Sequence, residues 1–333
     1  MSIETRMEGR KLTLRAAHDY DPDVPRLPLG SQRLVVVTGK GGVGKTTVTA
    51  ALARAAADAG RRVLAVEVGR GSLGTLLGTP QLGGEPTRLA ARLAAATIEP
   101  EEALRDFVEG VLRFRMLARR LLESTSFQVL AAAAPGLSEF LVLHRLLEWV
   151  DARRLGRRAY DLVVVDAPAS GHSLPLLAAP RTLGTLARLG PIAEMLAKAE
   201  RLLADPDATL VCIVTTPEEL AVRETVELHR ELTERLRLPV APPIVNAFPP
   251  RRFARADIEG LDRLDAALGE HPYLRAARLQ LARRGQAETQ ITALRRALHE
   301  TPVRLPFVFT APEEPAGLSA LVAELAASAG LAA

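Results

Sequence analysis

The amino-acid sequence predicts an α/β protein, a doubly wound, mostly parallel sheet flanked by helices, with a helical segment between its second and third core strands. Three observations predict it. Short apolar runs alternate with longer helical patterns from residue 34 onward. The first run, Leu34-Val35-Val36-Val37, enters a glycine loop, Gly39-Lys40-Gly41-Gly42-Val43-Gly44-Lys45-Thr46-Thr47, and a helical run follows from Val48 to Ala59. A later run, Tyr160 to Asp166, is apolar and ends in a carboxylate. No internal repeat is visible, so the sequence predicts one sheet in a single domain, 31–333, behind an N-terminal arm, 1–30.

Taken in order, residues 1–30 are polar and broken by Gly9, Pro22, Pro25, Pro28 and Gly30. They predict a loose arm with a short strand near Lys11–Arg15. The loop at 39–47 fits GxxxxGK[ST] at every fixed position, in the strand–loop–helix context a phosphate-binding loop requires. Its glycines let successive backbone N–H groups turn inward, toward an anion at a helix N-terminus. Lys45 is expected to reach the β- and γ-phosphates of a nucleotide, and the Thr46 hydroxyl to sit on Mg²⁺. The chain has 43 Lys plus Arg but only four lysines, Lys11, Lys40, Lys45 and Lys198, so two of the four fall in this loop. A compact ammonium suits phosphate as a point charge.

Gly60 is the expected stop of the first helix. Arg62 to Glu67 reads as a second buried strand, with Glu67 at its carboxyl end, where ligands of such sheets bind. That carboxylate is placed to orient water against a γ-phosphate; the plainer alternative is a solvated loop glutamate. From Pro100 to Arg154 the pattern is helical. Phe107, Val111, Phe114, Leu117, Leu121 and Leu122 recur at mostly three- and four-residue steps, and a second helix runs from Phe140 to Val150. Asp166, closing the third strand, is expected to hold Mg²⁺, often through water. Leu174 to Leu203 reads as helical, Thr209 to Thr215 as a strand, and Pro217 as the first residue of a helix capped by Thr216. Pro243 to Asn246 is the next strand end. Arg251 to Glu300 is helical and charged, Val303 to Phe307 a short last strand, and Gly317 to Leu331 a closing helix.

Composition narrows the class. A hydrophobic fraction of 48% suits a full globular core. No apolar run is long enough to cross a bilayer, and the N-terminus lacks a signal peptide's apolar core. The single cysteine, Cys212, allows no internal disulfide. The expected compartment is the cytoplasm. Net charge is +4, but arginines are scattered among acids and aromatics are only 4%, so no nucleic-acid partner is expected.

Lys40, directly after the first glycine, makes the loop more specific. Its KGGVGKTT form resembles the deviant phosphate loop of the ParA/MinD/nitrogenase-iron-protein class. Within that class the chain is similar to the ArsA family of arsenite-pump and tail-anchored-protein-targeting ATPases. Further segments carry the resemblance: Asp166-Ala167-Pro168-Ala169-Ser170-Gly171-His172, Ala134-Pro135-Gly136-Leu137-Ser138-Glu139, Asp205 to Thr209 with Pro217 to Thr225, and Pro243-Ile244-Val245-Asn246. The resemblance implies an ATPase using ATP and Mg²⁺, with Asn246 and Pro306 near the base. It implies a nucleotide-dependent dimer in which Lys40 reaches the partner's nucleotide, and switch segments that couple hydrolysis to a protein client or membrane partner.

Two departures qualify it. The family's first switch reads DPAHSL, yet Val68 stands where its Asp would be; the MinD pattern instead places Glu67 in that role. There is also no CxxC, so no zinc clamp between subunits is expected. Two alternatives follow. One is a catalytically weak ATP-binding subunit of a hetero-dimeric ATPase. The other is a MinD/ParA-like positioning ATPase, whose membrane-binding version is disfavoured because the closing helix carries no Lys or Arg.

Overall fold

The computed structural model describes residues 27–69, 71–111, 136–185, 189–268, 271–311 and 315–331. The expected strand near Lys11–Arg15, and Phe114, Leu117, Leu121, Leu122, Ala134 and Pro135, lie outside the described residues. The strands are β1 (Leu34–Gly39), β2 (Val63–Val68), β3 (Thr87–Arg88), β4 (Leu93–Ile98), β5 (Arg153–Arg154), β6 (Arg157–Arg158), β7 (Leu162–Asp166), β8 (Thr209–Thr215), β9 (Ile244–Phe248) and β10 (Val303–Pro306). The helices are α1 (Lys45–Asp58), α2 (Leu73–Leu76), α3 (Pro100–Val111), α4 (Leu137–Asp151), α5 (Ser170–Gly184), α6 (Pro191–Ala204), α7 (Glu219–Arg230), α8 (Arg255–Leu268), α9 (Pro272–Leu298) and α10 (Pro315–Ser328).

One eight-stranded sheet runs in the order β10-β9-β8-β1-β7-β2-β4-β3, parallel except for the short edge strand β3. From β1 the chain moves outward to β2 and β4, then returns to insert β7 between β1 and β2. It next crosses to β8 on the far side of β1. The direction of winding therefore reverses at β1, and the crevice above its carboxyl end is where such a sheet takes a ligand.

Alternate residues of each strand face opposite layers. Leu34 and Val36 join Val163, Val165, Val211 and Ile213 under α4, α5 and α6. Val35 and Val37 join Val164, Cys212 and Val214 under α1 and α10. Both faces are covered, which is why the central strands read as unbroken apolar runs rather than alternating ones. α1 presents small buried alanines, among them Ala50, Ala53 and Ala56, so it lies close on the sheet and brings its N-terminus to the end of β1. It stops at Ala59, with Gly60 at φ 96° taking the left-handed turn the sequence predicts.

The doubly wound, mostly parallel architecture is the predicted one. Two local expectations are corrected, and one strand was not foreseen. The expected helical segment between β2 and β7 is present as α3 and α4, and before it lies the unforeseen strand β4, registered residue by residue against β2 from Val63↔Leu93 to Val68↔Ile98. The helix ending that segment stops at Asp151, and residues 153–158 form the β5–β6 hairpin. α7 begins at Glu219, so Pro217 is not its first residue and Thr216 not its cap; both lie in the exit turn of β8. The charged stretch 251–300 is helical as expected, as two helices, α8 and α9. Toward the N-terminus, Leu27 and Leu29 are buried, and the Leu27 amide donates to the Ser328 carbonyl at the end of α10 at 2.8 Å.

Candidate functional site

β1 delivers the chain to Gly39, paired in register with Val214 of β8. Gly39 has φ 143°, and a Cβ there would run into the Val214 carbonyl oxygen, so the loop leaves the sheet through a position only glycine fits. Gly44, at φ 89°, is the left-handed residue that turns the loop into α1. A Cβ on it would strike the Asn246 amide. That amide, from β9, donates to the Val43 carbonyl at 2.9 Å and braces the loop from the side. Gly41 and Gly42 are exposed, Val43 is buried, and Thr46 and Thr47 are half-buried in the first turn of α1.

The charged groups converge on this loop. Lys45 Nζ donates to the Lys40 carbonyl at 3.1 Å. Burial lowers the Lys45 pKa, and the charge of Asp166 works against that shift. Lys40 Nζ pairs with Glu224 Oε1 of α7 at 2.8 Å, within the same chain. Thr46 Oγ1 donates to Asp166 Oδ2 at 2.6 Å, and Thr49, one helical turn on, donates to Oδ1 at 3.4 Å. Asp166 is buried, and desolvation raises its carboxyl to about 6. The Thr46 hydrogen bond opposes that rise, while the charge of Glu67 adds to it.

Glu67 lies beside Asp166 in the β2–β7 register. Its carboxylate is buried and accepts the Leu73 amide at 2.9 Å, with the amides of Gly71 and Ser72 also directed at it. Burial raises its pKa against those three donors. Glu67 therefore ties down the turn after β2 as well as facing the acid of β7. Pro306 ends β10, three strands from β1, at a register shift against β9.

The structure thus brings together Gly39 to Thr47, Glu67, Asp166 and Asn246. Sequence reasoning missed Glu224, whose pairing with Lys40 joins residues 184 positions apart. It also missed the buried Thr38 Oγ1 to Ser173 Oγ hydrogen bond, 2.6 Å, which links the end of β1 to the start of α5. Thr49 could have been found from its three-residue spacing after Thr46 on one helix face.

A glycine loop between a central parallel strand and a helix, with a hydroxyl–carboxylate pair from the helix and the neighbouring strand, defines a P-loop NTPase fold. The sequence profile described as anion-transporting ATPase matches residues 32–192. The ATPase BagA of Mycobacterium tuberculosis is 33% identical over 251 residues, 73% of this chain and 71% of its own length. The chain belongs to the ArsA, or anion-transporting ATPase, family. More distant similarity extends to the arsenical pump-driving ATPases of Acidiphilium multivorum, 28% identical over 71% of this chain and 44% of that protein, and of Escherichia coli, 28% identical over 59% and 36%. Among the described residues no helix is long and apolar enough to cross a membrane.

Proposed function

We propose that the chain binds Mg·ATP at residues 39–47 and hydrolyses it in a nucleotide-dependent dimer, homo- or hetero-, coupling turnover to movement of a protein client or membrane partner. The observation that carries this reading is the Thr46–Asp166 contact at 2.6 Å beside the Lys45 ammonium. The donor set fits the metal: a hydroxyl and a carboxylate are the hard oxygens Mg²⁺ takes, and a buried acid raised to about 6 is one that gains from a cation. Thr46 and Asp166 would hold Mg²⁺, which would supply positive charge against the nucleotide's phosphates.

The chain's own residues supply the rest. Lys45 exchanges the Lys40 carbonyl for phosphate oxygens. The amides of 41–46 and the N-terminus of α1 hold the anion. Asn246 and Pro306 flank the base, Thr47 continues the loop's donors, and Lys40 leaves Glu224 to serve the partner's nucleotide. Soft thiolate capture of a metalloid finds no support here: Cys212 is buried in β8 and burial pushes its thiol up to about 12.

Titration calorimetry tests the reading. Wild type is expected to take up Mg·ATP, and Lys45→Ala to weaken binding about 10- to 100-fold, the worth of a charged hydrogen bond in a half-buried site. No heat from wild type at millimolar Mg·ATP would end the proposal.

One observation favours a second reading, the catalytically weak subunit. Glu67 is the carboxylate nearest the missing switch Asp, and three backbone amides already engage it. Steady-state turnover of Glu67→Gln separates the two. A loss of about 100-fold or more is expected if Glu67 orients water. Wild-type turnover near zero with tight ATP binding would favour the weak subunit.

A further inference from the structure

At the opposite end of the sheet from the glycine loop, residues 152–159 read Ala-Arg-Arg-Leu-Gly-Arg-Arg-Ala. β5 and β6 form a separate two-stranded ribbon, closed at its base by the Ala159 amide on the Ala152 carbonyl at 2.7 Å. Its register sets Arg153 opposite Arg158 and Arg154 opposite Arg157. All four arginines are exposed, and among the described residues none is in an ion pair. The acids beside the hairpin have closer partners elsewhere, although the charge of Arg158 also acts on Asp151. Asp151 is held by Arg33 at 3.3 Å and Lys198 at 2.7 Å, and Asp161 by Arg62.

Three features of this ribbon work against its own folding. Like charges directly opposite each other destabilise an antiparallel pair. Leu155, at the turn, has φ 51°, the left-handed region that an apolar L-residue seldom takes, where Asn or Asp would precede the glycine in an ordinary two-residue hairpin. It is also 98% exposed. A segment that breaks local rules without a packing gain points to function outside the fold.

We propose that this hairpin is a docking surface for an anionic phospholipid bilayer, with Leu155 entering the headgroup region and Arg153, Arg154, Arg157 and Arg158 on the lipid phosphates. Charge complementarity selects a polyanion, and the tip selects lipid. A leucine gains by leaving water for the acyl boundary, but offers a nucleic acid neither a base-stacking ring nor a hydrogen bond. The ribbon leads into the N-terminal end of β7, whereas the nucleotide loop lies at the carboxyl ends of the strands, so docking leaves residues 39–47 open. The inference does not rest on the ATPase reading.

Flotation with phosphatidylcholine vesicles, with and without phosphatidylglycerol, tests it on the full chain. Wild type is expected to float with the anionic vesicles only, and to be released by high salt. Each Arg→Gln change is expected to weaken partition about fivefold, and Arg153→Gln, Arg154→Gln, Arg157→Gln and Arg158→Gln together roughly 1,000-fold. Leu155→Asn, which suits the turn, is expected to lose about tenfold while keeping the salt dependence. Thermal melting of both variants is expected at or slightly above wild type, because each relieves a local conflict of the ribbon, and Mg·ATP calorimetry is expected to match wild type. The proposal is overturned if wild type ignores anionic vesicles or binds neutral ones equally. It is also overturned if the quadruple or the Leu155→Asn variant floats like wild type, or if duplex DNA or RNA strips the protein from the vesicles.

Discussion

Asp166→Asn is expected to make the metal-free protein more stable at neutral pH while removing its turnover. The Asp166 carboxyl titrates at about 6 in the folded chain, above its ordinary value of 3.8. A raised acid favours the folded state when protonated. Its contribution is fully present below the unfolded value near 4 and is lost as pH rises through about 6. At pH 7 the charged group therefore burdens the metal-free fold by about 3 kcal/mol, the worth of a shift of roughly two units. Asparagine removes the charge at nearly constant shape. Its amide still meets the Thr46 and Thr49 hydroxyls, which donate or accept as needed. Urea unfolding in chelator at pH 7.5 should show the variant more stable by about 1–3 kcal/mol, with the gap narrowing below pH 6 and closing only below about pH 4. Turnover should fall about 100-fold or more, because a neutral amide is a poor ligand for a divalent cation. A variant less stable than wild type at pH 7.5 would show that Asp166 is held for the fold rather than for a cation.

The same residue shows how far the sequence could be read. Asp166 and Thr46 were legible because each follows a local rule: an acid at the end of an apolar strand, and a hydroxyl after GK in a glycine loop. Their meeting follows from the parallel register of β1 and β7, Val37↔Asp166, which the order of elements implies. β4 was not legible. Leu93-Ala94-Ala95-Ala96-Thr97-Ile98 is half alanine, a helix former, and only its pairing with β2 makes it a strand. The β5–β6 hairpin was hidden for a similar reason. Arginine and leucine both suit helices, and the tell-tale glycine, Gly156, stands in the turn after leucine instead of asparagine or aspartate. Glu67 was found as a carboxylate at a strand end, but its partners are amides of a loop without local signature. Glu224 was visible only as part of a motif, because the contact that gives it meaning crosses from α7 to the glycine loop.

Gly39→Ala is expected to cost about 3–5 kcal/mol of stability, as left-handed backbone strain and a forced displacement of β8 add together. The neighbouring substitution Gly41→Ala should change stability by no more than about 0.5 kcal/mol. The two glycines share a loop but answer to different constraints. At Gly39 the backbone φ is 143° and the new methyl would drive into the Val214 carbonyl oxygen, a rigid atom in a paired central strand. At Gly41 the φ is not positive and nothing lies within 4 Å of where the methyl would go. Folding thus has no use for glycine at 41, and any effect of that methyl must come from what enters the loop. Urea midpoints and Mg·ATP calorimetry on the pair separate these roles. Gly39→Ala should lose most of its loss in the unfolding midpoint, and Gly41→Ala should keep the midpoint but bind Mg·ATP at least about tenfold more weakly, because a methyl on an amide-lined loop holds the phosphates off. Equal ATP affinity in Gly41→Ala and wild type would mean that the open face at residue 41 receives no phosphate, and the cradle would have to be placed deeper, toward Gly44 and Lys45.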